Sequence, residues 1–381
     1  MTLLYLVAGE ASGDVLGARL IAALRCRQPN LRFAGIGGPR MAEQGVVSLF
    51  PMEELSLMGL AEVAPKLPRL LRRLAEAEAD VLAKRPAALV TIDAPSFCLR
   101  LAGRVRTKGV RTIHYVAPQV WAWRQGRVRR IARKIDRLLA LLPFEPPFFA
   151  AAGVPTDFVG HPVIESGADR GNAAAFRTRF GLAANRPVLA VMPGSRRGEL
   201  RRHLPLFTRA CALIVARVPD LAVFVPTPPA FGALVRDAAW PAAPIIATDV
   251  QTKHDGWAAA TAALAKSGTT SLELALAGVP HVIAYRAHPL TAAIVRRLVT
   301  VRYASLVNLL EGCEVVPEFL QENCTPEALA SAILRLLEDG SAVASQRAAF
   351  LRAVASLAAP CGRTPSEAAA EAVLAELARA G

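Results

Sequence analysis

Apolar runs of strand length recur along the chain at Leu3–Ala8, Ala88–Ile92, Val188–Met192, Leu221–Val225 and Pro280–Tyr285. Longer amphipathic segments separate them, among them Val15–Arg25, Glu199–Arg217 and Ser271–Ala277. Strand-length runs alternating with helix-length segments predict βαβ units and parallel sheets, an α/β fold. The polar stretch Glu165–Asn172 divides two such series, and Arg186-Pro187 restarts a strand. From Thr325 onward the pattern is helical, ending in an alanine-rich helix over Ser366–Arg379 with Thr364-Pro365 as its start signal. The expected division is an N-terminal Rossmann-like domain over 1–166, a second over 173–345, and C-terminal helices over 346–381 that pack back on the first. Two such sheets facing one another would bring their carboxyl ends to one crevice, where ligands bind in these folds.

Length supports that division, because 381 residues exceed what a single core usually fills, and two domains of roughly 150 to 200 residues follow. Hydrophobic residues make up 53%, yet no apolar stretch reaches the roughly 18 residues of a spanning helix. The start, MTLLYLVAGEASGD, has no basic residue ahead of its apolar run and no cleavage-site pattern, which argues against a secretory signal. Six dispersed cysteines without a C-x-x-C pair point to reduced thiols and a cytoplasmic setting. A net charge of +14, with its excess in the first half, calls for an anionic partner: nucleic acid, an acidic membrane or a phosphorylated ligand.

Chemistry is expected at strand-to-helix turns. The turn Gly9-Glu10-Ala11-Ser12-Gly13-Asp14 follows the first strand, and its glycines permit close backbone approach while the helix start favours an anion. Its G-x-x-x-G spacing differs from a dinucleotide fingerprint. The bland reading, a turn capped by Ser12 or Asp14, weighs equally. Asp93 follows the strand Ala88–Ile92 and precedes Ala94-Pro95, so it belongs at a sheet's carboxyl edge, where a carboxylate serves as general base. An Asx turn beside a proline is the alternative. In the second half, Pro193-Gly194-Ser195-Arg196 offers a tight turn, free N–H groups and a guanidinium for a diphosphate. Ser267-Gly268-Thr269-Thr270 opens a helix carrying Glu273, suited to phosphate and sugar hydroxyls, although Thr270-x-x-Glu273 also satisfies a capping box. No D-x-D pair occurs and the six histidines lack ligand spacing, so neither a metal nor a cofactor is expected. His114 and His161 read as packing or hydrogen-bonding residues. Three basic amphipathic stretches, Leu55–Leu74, Trp121–Lys134 and Leu290–Tyr303, together favour contact with an anionic membrane surface over ordinary solvated faces.

As an ordered set, these strings resemble the lipid-A-disaccharide synthase family, glycosyltransferases of GT-B architecture with two Rossmann-like domains. The matching runs are Val7–Asp14, Gly35–Met41, Thr91–Pro95, Val116–Val128, Leu142–Glu145, Phe158–Pro162, Pro193–Arg196, Ser267–Glu273 with Ala277–Pro280, and Val307–Leu310 with Val316–Gln321. They span nearly the whole chain. The resemblance implies an inverting, UDP-sugar-dependent transfer of 2,3-diacylglucosamine to 2,3-diacylglucosamine 1-phosphate, giving a β-1,6-linked disaccharide phosphate and UDP. It assigns Glu10, Ser12 and Asp93 to the acceptor side, with Asp93 the base, and Arg196, Glu273 and Asn308 to the nucleotide side. It also implies a peripheral place on the cytoplasmic face of the inner membrane, no nucleic-acid partner, and leaves a homodimer open. Against the family's pattern, Ser96 and Cys98 stand where an acidic residue and an asparagine are usual. Ala117 replaces a more usual serine, and Glu311-Gly312-Cys313-Glu314 follows where a basic residue is typical. Two other readings stand beside this one: a nucleic-acid-binding protein using Trp121–Lys134, and another GT-B enzyme such as a UDP-N-acetylglucosamine epimerase or a different UDP-sugar transferase.

Overall fold

The computed structural model describes residues 2–55, 60–123, 125–287 and 299–379. Two units emerge, one from Met1–Pro162 with Leu357–Gly381, the other from Val163–Ser356. The chain thus crosses back at Leu357, so residues 346–356, expected among helices returning to the first domain, lie in the second unit.

The first unit is built on six parallel strands: β1 (Leu3–Ala8), β2 (Arg32–Ile36), β3 (Ala88–Ile92), β4 (Thr112–Tyr115), β5 (Arg137–Ala140) and β6 (Thr156–Phe158). Their order is β2-β1-β3-β4-β5-β6. Every side chain of β3 is buried, as expected of a strand covered on both faces by crossover helices. Helix Ala11–Arg27 buries Leu16, Leu20, Ile21 and Leu24 against Val90 and Ile92. The C-terminal helix Pro365–Ala378 adds Ala369, Ala370 and Val373 to the same core. Thr364 caps it in a capping box with Glu367, and Glu376, almost fully buried, is held by Arg137 at 2.7 Å and Arg111 at 3.2 Å.

The second unit repeats the plan with β7 (Val188–Met192), β8 (Ala222–Pro226), β9 (Ile245–Ala247), β10 (Ala262–Lys266), β11 (His281–Tyr285) and β12 (Glu318–Leu320). The order is β12-β11-β10-β7-β8-β9, with every described pairing parallel. Helices Arg197–Val215 and Pro326–Glu338 cover one face, packing Leu204, Phe207 and Ile214 with Leu329 and Ile333. In both sheets the strand order reverses once, between β1 and β3 and between β7 and β10, and the carboxyl ends at such reversals are where doubly wound sheets bind ligands.

Candidate active site

Both turns singled out in the first half flank the β1/β3 reversal. Gly9 and Asp93–Ala94 are packed so closely that a Cβ on Gly9 would lie 2.4 Å from the Ala94 Cβ, and one on Gly13 would lie 3.3 Å from the Ile92 carbonyl. Asp93 is half-buried, and its N–H donates to the Tyr115 carbonyl at 2.9 Å. Backbone strain gathers here. Asp93 (φ 52°), Ala94 (φ 42°) and Val116 (φ 80°) are all left-handed without being glycine, at the carboxyl ends of the adjacent strands β3 and β4. Such conformations persist only where surrounding structure enforces them, and they concentrate at functional sites.

Glu10 is the N-cap residue of helix Ala11–Arg27 and half-buried, while Ser12 is exposed in its first turn. Neither Ser12 nor Asp14 caps that helix: Glu10 occupies the cap and makes no side-chain capping bond. Buried Asp14 instead accepts the N–H groups of Gly38, Arg40 and Met41 at 2.8, 2.9 and 3.0 Å. It therefore anchors the start of the neighbouring helix Pro39–Glu43, which accounts for the run Gly35–Met41.

Several titratable side chains of this unit are buried. His114 is fully buried and hydrogen-bonded to Thr91 at 2.8 Å; burial brings it down to about 3, so its imidazole is neutral. Burial likewise takes His161 down to about 4. Cys98 is fully buried with its thiol 3.9 Å from the carbonyls of Val7 and Ile92; burial raises its pKa, and the Asp93 carboxylate adds to the effect. Cys98 thus fills core space between β1 and β3 as a neutral thiol, and Ser96 is exposed. One functional-looking residue escaped the sequence reading. Glu145, after β5, is 2% exposed and accepts from Trp121 Nε1, Leu141 N and Leu142 N, each at 3.0 Å. Burial outweighs those three donors and pushes it up to about 7. Its one advance signal was the string Leu142–Glu145 itself.

At the second reversal, Gly194–Arg196 follows β7 and Ser267–Thr270 follows β10. Gly194 sits at φ 132°, and a Cβ there would lie 2.6 Å from the Glu199 Cβ. Ser195 and Arg196 are exposed, and the Ser195 N–H donates to Glu199 Oε2 at 3.1 Å. Burial opposes charge on Glu199, but Lys266 at 3.0 Å and the Ser195 N–H hold its pKa below the usual value. The Ser267 hydroxyl donates to the Ala304 carbonyl at 3.0 Å. Ser271 reaches His281 at 2.8 Å and Ser305 at 3.1 Å, which ties the turn into a buried polar network. The capping box proposed for Thr270 and Glu273 does not form: Thr269 is the cap, without a side-chain bond, and Glu273 pairs with Lys253 at 3.3 Å.

Asn308 stands apart from the other residues assigned to the nucleotide. It is fully buried, donates to the Val316 carbonyl and Glu318 Oε1 at 2.8 Å each, and accepts from the N–H groups of Val315 and Val316 at 2.9 Å each. All four bonds its amide can make are used. Those bonds tie the segment from Val315 to Glu318 to the helix Leu306–Glu311.

Of the basic stretches, residues 56–59, 124 and 288–298 lie outside the described residues. Arg69 and Arg73 in the first stretch are engaged by Glu54 at 2.9 and 2.7 Å. A surface hollow lined by Leu71, Leu74, Arg100, Arg104, Arg133 and Lys134 connects the first and second stretches. Burial and the nearby guanidinium groups of Arg100 and Arg130 depress the Lys134 pKa. Among the described residues, no helix is long and apolar enough to cross a membrane.

Two doubly wound units, each with its candidate turns at the strand-order reversal, define the GT-B class of nucleotide-sugar folds. Solved structures share the fold at low sequence identity. UDP-GlcNAc 2-epimerase from Neisseria meningitidis bound to UDP-GlcNAc aligns with TM-score 0.64 and 11% identity over 100% of each chain. A structure of S. aureus MnaA with UDP aligns with TM-score 0.62 and 13% identity over 98% of this chain and 95% of that one. The lipid-A-disaccharide synthetase family matches residues 4–373. The lipid-A-disaccharide synthase of Rhodospirillum centenum is 53% identical across 98% of this chain and 94% of its own, and that of Granulibacter bethesdensis is 50% identical across 98% of each. The chain belongs to the lipid-A-disaccharide synthase family.

Proposed function

We propose that this enzyme joins the diacylglucosamine unit of a UDP-activated donor to the 6-hydroxyl of diacylglucosamine 1-phosphate, releasing UDP and the β-1,6-linked lipid A disaccharide 1-phosphate. Membership of the family supports the reaction. The observation that carries the residue assignment is the strained Asp93 turn pressed against Gly9 at the reversal of the first sheet.

Asp93 accepts the proton of the acceptor 6-hydroxyl as its oxygen attacks the anomeric carbon from the face opposite the leaving group, so the centre inverts. The bond from that carbon to the diphosphate oxygen breaks and its electron pair leaves with UDP. Glu10 and Ser12, at the start of the helix beside Asp93, orient the acceptor. On the donor unit, Arg196 and the N–H groups around Gly194 and Ser195 stabilise the charge that develops on the diphosphate. Gly268, Thr269, Thr270 and Glu273 hold the phosphate and sugar, while Asn308 keeps the loop behind them in place.

The same proposal places the first unit on an anionic bilayer at the cytoplasmic face, supported by the cation-lined hollow with the half-exposed Leu71 at its rim. The test is incubation of the enzyme with the UDP-diacylated and 1-phosphate diacylated sugars in excess EDTA, followed by mass spectrometry. A tetraacyl disaccharide phosphate plus UDP is expected. Turnover of unacylated UDP-GlcNAc with no acylated disaccharide would replace this reading with that of another GT-B UDP-sugar enzyme.

A further inference from the structure

Lys266, the ion-pair partner of Glu199, takes no part in the proposed transfer, yet its ammonium stands where both turns of the second reversal meet. It ends β10 directly ahead of Ser267–Thr270, with Nζ 3.0 Å from Glu199 Oε1 and 5.6 Å from the Tyr285 ring centroid. A Cβ on Gly268 would lie 3.7 Å from that Nζ. The other oxygen of the Glu199 carboxylate takes the Ser195 N–H, and the Arg196 guanidinium lies 3.8 Å from Oε1. One carboxylate therefore collects an ammonium, a backbone N–H and a nearby guanidinium. Those are the donors a departing diphosphate needs when no other cation serves it.

We infer that Glu199 is a resident stand-in for the donor diphosphate and that Lys266 is a diphosphate contact, an inference resting on the UDP-sugar reading above. When donor binds, Lys266 and the Ser195 N–H pass from the carboxylate to phosphate oxygens, and Glu199, on the first turn of its helix, swings aside. It cannot stay, because a carboxylate left among the same donors would repel the diphosphate. When UDP leaves, the ion pair closes again and competes against rebinding.

Calorimetric titration of the full-length enzyme and its variants with UDP and with UMP tests this. Lys266→Met should bind UDP at least ~10-fold more weakly, with a much smaller change for UMP, while Lys266→Arg stays within about threefold of wild type. Glu199→Gln, which keeps the shape but removes the competing charge, should bind UDP more tightly than wild type. A purely structural brace predicts the opposite sign, so weaker UDP binding by Glu199→Gln in a folded protein overturns the inference, as does unchanged UDP affinity in Lys266→Met. No UDP binding by wild type would instead overturn the donor reading itself, and this inference with it.

Discussion

Glu145 carries a charge conflict that a titration will expose. Its folded pKa of about 7 exceeds the ordinary 4.5 because burial outweighs three hydrogen-bond donors. A carboxyl raised in this way contributes stability that is complete below 4.5 and is lost as pH climbs through 7, up to about 3 kcal/mol for a shift of this size. Thermal melting of wild type should therefore fall, relative to Glu145→Gln, between pH 5 and pH 8; parallel curves for the two proteins would show that Glu145 ionises normally. Asn308 is a different case, since its cost on removal is geometric. Asn308→Ala strands the N–H groups of Val315 and Val316 and the Val316 carbonyl, all paired through one amide. A loss of about 2–4 kcal/mol in urea unfolding is expected. If stability were unchanged while donor affinity collapsed, Asn308 would be a direct ligand contact after all.

Among the elements, the turns after β1 and β3 work as one piece because Gly9 has no side chain to hold Ala94 away. Gly9→Ala forces a displacement of the Asp93 turn on the scale of an ångström, and misplacement of that order lowers turnover by about 10². The expected kinetic signature is a fall in kcat with UDP affinity retained; wild-type kcat would mean the two turns are not coupled. Long apolar runs made β1, β3, β7, β8 and β11 readable from the sequence, with ends shifted by one residue at β8 and β11. The strands β2, β4, β5, β6, β9, β10 and β12 were harder: β4, β5, β6, β9 and β12 are only three or four residues long, and the five-residue β2 and β10 are, respectively, interrupted by arginine and glycine and built mostly of alanine ending in lysine. In β4, Thr112 and His114 occupy buried positions, which erases the apolar run that marks a strand. The candidate turns were readable because a glycine-bearing or acidic turn after such a run has few places to go in a doubly wound sheet. The roles of Asp14, Glu145 and Asn308 were not, because their partners at residues 38–41, at Trp121 and at 315–318 become neighbours only once the chain folds.

Across the whole molecule, a net charge of +14 becomes useful where cations gather, as around Arg100, Arg133 and Lys134. Arg133→Glu with Lys134→Glu should weaken partitioning onto phosphatidylglycerol vesicles at low salt, read by sedimentation, by about 10³-fold, at about 1 kcal/mol per cation lost and a like amount for each new anion. Binding insensitive to both salt and these substitutions would place the membrane contact elsewhere. In the proposed reaction a base at the strained turn after β3 drives the sugar transfer. Its most direct test is the turnover number of Asp93→Asn measured beside its UDP affinity. Turnover should fall by about 10² to 10⁴ with UDP affinity unchanged, the scale of a lost general base; turnover close to wild type would remove Asp93 from the reaction.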